Sequence, residues 1–136
     1  MQEQVNLKGK GEVSITLIKG GVRTPLFKTN LITTNARNIC AKALIDEDYQ
    51  INQIKAFNTG TQLANITNLT RRFVQNEDNA IEFVARFIES DFDGTVTELN
   101  LESAIGGIFS ELTGLSVVKD GQSQLEVLWK ITINNL

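Results

Sequence analysis

The chain has 136 residues, 41% of them hydrophobic and 21% charged, which fits one folded domain over residues 1–136 and excludes a disordered polymer. It has no histidine and a single cysteine, Cys40, so His-based triads, His metal sites, an intrachain disulfide and a CxxC pair are excluded. The net charge is -3, the longest basic run is Arg71-Arg72, and no apolar stretch approaches the roughly eighteen residues of a membrane span, so neither nucleic acid nor membrane is an expected partner.

The first twelve residues, MQEQVNLKGKGE, are too polar for a secretory signal. Val5 and Leu7 within them read as a short strand or a polar arm. From Gly11 to Ile18, Val13, Ile15 and Leu17 alternate with Glu12, Ser14 and Thr16, the period of two of a half-buried strand. Gly20-Gly21 reads as a turn. Leu26-Phe27 begins a second short element, with Pro25 at its start or on a sheet edge. One helix is expected, from Asn35 to about Asp46, because Ala36, Ile39, Cys40, Ala43 and Leu44 recur on one helical face. Thr33, Thr34 or Asn35 would cap it. Cys40 on that face would be a buried structural thiol. Asp46, Glu47 and Asp48 oppose the macrodipole and would end the helix.

Ile51 to Phe57 reads as a mostly buried strand that ends at Asn58-Thr59-Gly60. Thr61 to Leu69 is polar, with Leu63, Ile66 and Leu69 spaced by three, and reads as a helical turn or a loop with apolar anchors. Arg72 to Val74 enters a strand, and Asn76-Glu77-Asp78-Asn79 breaks it. Ala80 to Glu89 is the strongest middle strand. Ile81, Phe83, Ala85 and Phe87 face one way; Val84 and Ile88 make the opposite face apolar too, so a sheet or a partner is expected to cover it. Asp91-Phe92-Asp93-Gly94 is a turn, Thr95 to Leu101 a strand, and Ala104 to Phe109 a short element broken by Gly106-Gly107. Leu115, Val117 and Val118 lead into a hairpin at Asp120-Gly121, whose composition suits a type I′ turn. Leu125, Val127, Trp129, Ile131 and Ile133 then alternate along a strand expected at the heart of a sheet, with Trp129 on its buried face.

Little of this carries chemistry. Asp91, Asp93 and Glu98 are the plausible acid-base or cation-binding groups, yet nothing in their spacing pairs them across a cleft or builds a calcium loop. Gly106-Gly107 lacks the strand–glycine–helix context of a phosphate site, and Asn58-Thr59-Gly60-Thr61 has no following lysine. No catalytic, cofactor-binding or metal-binding residue is assigned, and no enzyme is expected. What remains is a mainly β, antiparallel domain with one short amphipathic α-helix, a layout suited to an interaction module.

The order of segments resembles a family of small bacteriophage virion domains of the tail, baseplate and fibre-associated kind. The matching pieces are Lys28 to Asn35 before the helix, Ile54 to Gly60, Ile81 to Phe87, Val96 to Leu101, and Leu125 to Ile133. Together they cover most of Asn30 to Asn134. The resemblance implies an antiparallel β-sandwich with one short helix. It implies a non-enzymatic structural component of the virion, forming a symmetric oligomer with itself and binding other phage virion proteins, without a cofactor. The expected contact residues are Val84 and Ile88, Leu99 and Leu101, and the arm from Val5 to Leu7. The alternative expectation is a carbohydrate- or host-receptor-binding module of a phage fibre, for which Tyr49, Phe57 and Phe92 are the aromatic candidates. A small enzyme using Asp91, Asp93 or Glu98 ranks last.

Overall fold

Alternating apolar and polar residues dominate the chain, and strands dominate the structure. A computed structural model describes residues 7–135. In chain order it contains β1 (Leu7–Lys19), β2 (Val22–Leu31), α1 (Ala36–Ala43), a 3-10 turn (Glu47–Tyr49), β3 (Gln53–Asn58), β4 (Thr61–Ile66), β5 (Thr70–Val74) and β6 (Glu77–Phe87). It continues with β7 (Gly94–Val96), β8 (Glu98–Ser103), β9 (Gly107–Leu112), β10 (Val117–Lys119) and β11 (Ser123–Asn135). The strands form a five-stranded sheet, β2-β1-β11-β6-β5, a four-stranded sheet, β4-β3-β8-β9, and a small pair, β10-β7. All pairings are antiparallel, and the fold is mainly β with the character of a sandwich.

The register explains the core. Val13 pairs with Trp129, which pairs with Phe83; Ile15, Val127 and Ala85 make the next row. All six are buried. They meet Ile54, Ala56, Leu99 and Leu101 from β3 and β8, which are fully buried as well. Each large apolar side chain moved out of water contributes about 1.5–3 kcal/mol. The long strand around Trp129 is central in its sheet, as its pattern predicts.

One side of the sandwich is stitched by Asn30. It stands opposite Gly11, and its side-chain amide donates to Ser110 Oγ at 2.8 Å and to the Glu111 carbonyl at 2.7 Å. A Cβ on Gly11 would lie 2.2 Å from Asn30 Oδ1, so glycine leaves the room this crossing needs. Just beyond, Ile32 bridges to Ser110 and the Thr33 amide donates to the Phe109 carbonyl at 2.9 Å, which covers the outer edge of β9.

Several expectations are corrected. The helix is shorter than its pattern. Leu44 is 87% exposed and Cys40 is exposed, so only Ala36 and Ile39 of the apolar face are buried. No side chain caps it; Asn35 donates its amide to the Gly106 carbonyl at 2.7 Å and Thr33 its hydroxyl to the Ile108 carbonyl at 2.8 Å, which tie the helix entry to β9 and the turn before it. Thr61 to Ile66 is strand β4, joined to β3 by a turn at Thr59-Gly60 with φ of 46° and 84°. Spacing by three misleads there, because Leu63, Ala64 and Ile66 are all only half-buried on an edge strand. Pro25 lies in the middle of a ten-residue edge strand. A proline fits that place because its nitrogen can face the free edge, where no ladder bond is lost. The Asp120-Gly121 turn is not type I′, since neither residue has a positive φ. Asp120 instead accepts the Gln122 amide on its side chain at 2.9 Å, and β10 pairs with β7 rather than with β11.

Candidate functional site

The acids singled out from the sequence lie apart in their uses. Asp91 accepts the Ile88 amide at 2.8 Å and so shapes its own turn. Asp93 is exposed, and Glu98 stands opposite Phe57 on β8. Among the described residues no three His, Cys, Asp or Glu side chains gather where they could hold a metal ion. The three aromatic candidates do not share a face either. Phe92 packs edge-on against Phe87, with centroids 5.5 Å apart, and lies beneath the Lys119 ammonium. Tyr49 lies under Lys42 beside the helix, while Phe57 is half-buried on β3.

The outer face of the five-stranded sheet is ionic at its margins. Glu126 on β11 binds both Arg23, at 3.0 Å, and Arg86. The Arg86 guanidinium holds its carboxyl below the ordinary range, against the opposing effect of partial burial. On the other side of the row, Lys130 meets Glu77 at 2.6 Å and Arg72 meets Glu82. Between these pairs runs a less polar row in register: Phe27, Ser14, Leu128, Val84 and Thr70. Phe27 is 58% exposed at the edge of this row. Val84 is half-buried within it, and Ile88, at 45% exposure, follows the end of β6.

Leu99 and Leu101 are placed differently from the expectation. Both point inward from β8 and have no exposed surface, so they hold the two sheets together and offer nothing to a partner. Their alternation with Glu98, Asn100 and Glu102 could be assigned to either face from sequence, and the inward choice follows from packing on Ile54 and Ala56. Leu7 opens β1 opposite Asn135, and Val5 lies outside the described residues.

Two features carry no sequence signal. The first is Lys119. It looks like a turn lysine, yet it is fully buried, and its ammonium donates to the carbonyls of Phe92 at 2.7 Å, Glu89 at 3.0 Å and Asp120 at 3.2 Å. Three carbonyls and the Phe92 ring replace its water shell. The second is a cleft of about 350 Å³ between α1, the 3-10 turn and the β5–β6 corner. Ile39, Ile51, Phe83 and Phe109 are its buried walls, whereas Phe73 and Ile81 line it and remain 90% and 40% exposed. Ile81 lies on the inner face of the five-stranded sheet, in the Gly11–Ile131 row. Opposite this corner stand a helix and a turn instead of a strand, and they fill the space only in part.

The chain matches no protein-family model, no curated protein and no solved structure.

Proposed function

We propose that the chain is a non-enzymatic structural component of a bacteriophage virion, a subunit that forms a symmetric oligomer and binds neighbouring virion proteins. One observation carries this reading: large apolar side chains lie exposed at the margins of the sandwich. Val22, Leu26 and Phe27 lie exposed on the free edge strand β2, and Phe73 and Ile81 at the β5–β6 corner. An isolated soluble domain normally blunts its edges or keeps such side chains scattered. On β2 the edge-blunting residues are Arg23, Pro25 and Lys28, and Val22, Leu26 and Phe27 stay exposed between them. The resemblance in segment order to virion domains supplies the setting.

The test has two arms. Light scattering on the purified chain should give a defined multiple of the protomer mass. Mass spectrometry of particles purified from the source should find the chain at a fixed ratio to other particle proteins. A monomer at every concentration would remove the oligomer, and absence from the particle would remove the virion.

A further inference from the structure

The corner cleft has a neighbour that matches it. The chain leaves α1 through Leu44 and Ile45, which are 87% and 95% exposed, and continues directly into Asp46, Glu47 and Asp48. None of these three acids forms an ion pair among the described residues. On the cleft, Arg72 is held by Glu82, but Arg71 donates to the neutral Gln50 side chain, at 2.8 Å, and to no described acid. The molecule thus carries an apolar knob followed by unpaired acids, beside an apolar hole lined by an unneutralised guanidinium. Ala43 and Tyr49, on either side of the knob in sequence, both line the hole, so knob and hole belong to one continuous surface.

We propose that a second copy of this chain docks on this surface across a two-fold axis. Leu44 and Ile45 of each copy enter the other's cleft, covering Phe73 and Ile81, and Glu47 and Asp48 of each face the other's Arg71. Because knob and cleft are neighbours on one surface, a two-fold lets each copy's knob fill the other's cleft in a single closed pair, the self-complementary arrangement of an isologous interface. The charges agree with a second copy, because the acidic knob and basic cleft complement each other twice in every pair. The cleft volume leaves room for large aliphatic side chains, and burying four exposed apolar residues per copy supplies the driving force. This inference rests on the reading of the chain as an oligomer subunit and names the surface that reading leaves open.

Sedimentation equilibrium of the full chain and three variants tests it. Ile45→Asp removes the knob at a position with almost no packing to lose. It should weaken dimerisation at least about tenfold, with the thermal transition of the dilute protein unmoved. Glu47→Lys with Asp48→Lys should weaken it as well, and adding Arg71→Glu to that pair of changes should restore it, since both charge signs are then exchanged. Variants that associate as tightly as the parent would overturn this surface while leaving the oligomer standing. Association into odd-numbered rings would overturn the two-fold, and weakening without rescue by Arg71→Glu would overturn the pairing of Glu47 and Asp48 with Arg71. A parent chain that stays monomeric at every concentration would remove the oligomer and this surface together.

Discussion

The two ends of the sandwich are finished in different ways. Along β6 and β11, the Phe87–Leu125 pair lies near one end and the Ile81–Ile131 pair near the other. Both ends bring inward-facing apolar residues to the limit of the sheet, where strands stop covering them. At the Phe87 end the chain folds back, and Phe92 packs on Phe87. The Lys119 side chain is buried beneath that exposed loop, and its ammonium donates to the Glu89 and Phe92 carbonyls. At the Ile81 end, α1 and the 3-10 turn shelter Phe83 but leave Phe73 and Ile81 open. An end closed by a buried ammonium is completed from within the chain. The other end is left apolar among the described residues, with Arg71 and the acids Asp46, Glu47 and Asp48 unpaired around it.

Truncating the core below each end gives the largest effect. Phe83→Ala removes a side chain that is 3% exposed and lies between Trp129 and Arg71 in the register. We expect a loss of about 3–5 kcal/mol in urea unfolding with an unchanged denaturant slope. A loss below about 1 kcal/mol would mean that the helix does not seal this row in solution. Lys119→Met comes next. It keeps the stem and deletes the ammonium, leaving three part-buried carbonyls without that donor, at a cost of about 1–3 kcal/mol. Hydrogen exchange should show the accompanying opening confined to residues 88–94 and β10. Uniform exchange over the whole molecule would deny Lys119 its local role.

These two residues also mark the limit of what the sequence discloses. Phe83 was legible, because a period of two over Ile81, Phe83, Ala85 and Phe87 assigns a face and the long alternation around Trp129 assigns the centre. Lys119 was not, because burial of an ammonium depends on carbonyls brought from residues 89 and 92, and no local pattern encodes that meeting. The helix failed for a related reason. Periodicity showed which face of α1 was apolar, but how much of it is buried depends on the reach of the opposite sheet, and Leu44 fell outside it. Leu99 and Leu101 show the converse, since their strand has a polar face that is itself well buried, at Asn100 and Glu102. The cleft combines residues from α1, β5, β6 and β9, so no local pattern announces it.

A pH titration separates the ends without altering either core. Asp120 follows Lys119, and its carboxyl is drawn from an ordinary 3.8 to about 2, first by the Lys19 ammonium and then by the Gln122 amide. Its folded-state value lies below its unfolded one. Its contribution is therefore complete above about pH 4 and is lost as pH falls toward 2. Glu89 at the same end is also lowered, chiefly by a backbone hydrogen bond and then by Gln124. Asp120→Asn should therefore destabilise the protein at neutral pH, and its gap from the parent should close between pH 4 and pH 2. The gap for Phe83→Ala should stay constant over the same interval until the molecule unfolds. A constant gap for Asp120→Asn would show that its carboxylate is not held in the folded state.

The smallest effect is expected at Phe73, and its size depends on concentration. Phe73 pairs with Ile81 on β5, one inward position along from the Arg71–Phe83 pair, so it shares a sheet face with the most sensitive site. It is nevertheless 90% exposed, and in the dilute chain Phe73→Ala should change stability by less than about 0.5 kcal/mol. A loss near that of Phe83→Ala would mean that α1 closes over the corner in solution, and the contrast between the ends would vanish. If a second copy covers the corner, the parent gains stability from association as concentration rises, whereas Phe73→Ala gains less. The difference between their thermal midpoints should then widen with protein concentration. For Phe83→Ala the core loss is present in the monomer and persists at every concentration. A Phe73→Ala difference that stays flat over the range in which the parent associates would place the contact elsewhere, and β2, with Val22, Leu26 and Phe27 exposed on its free edge, would be the surface to examine next.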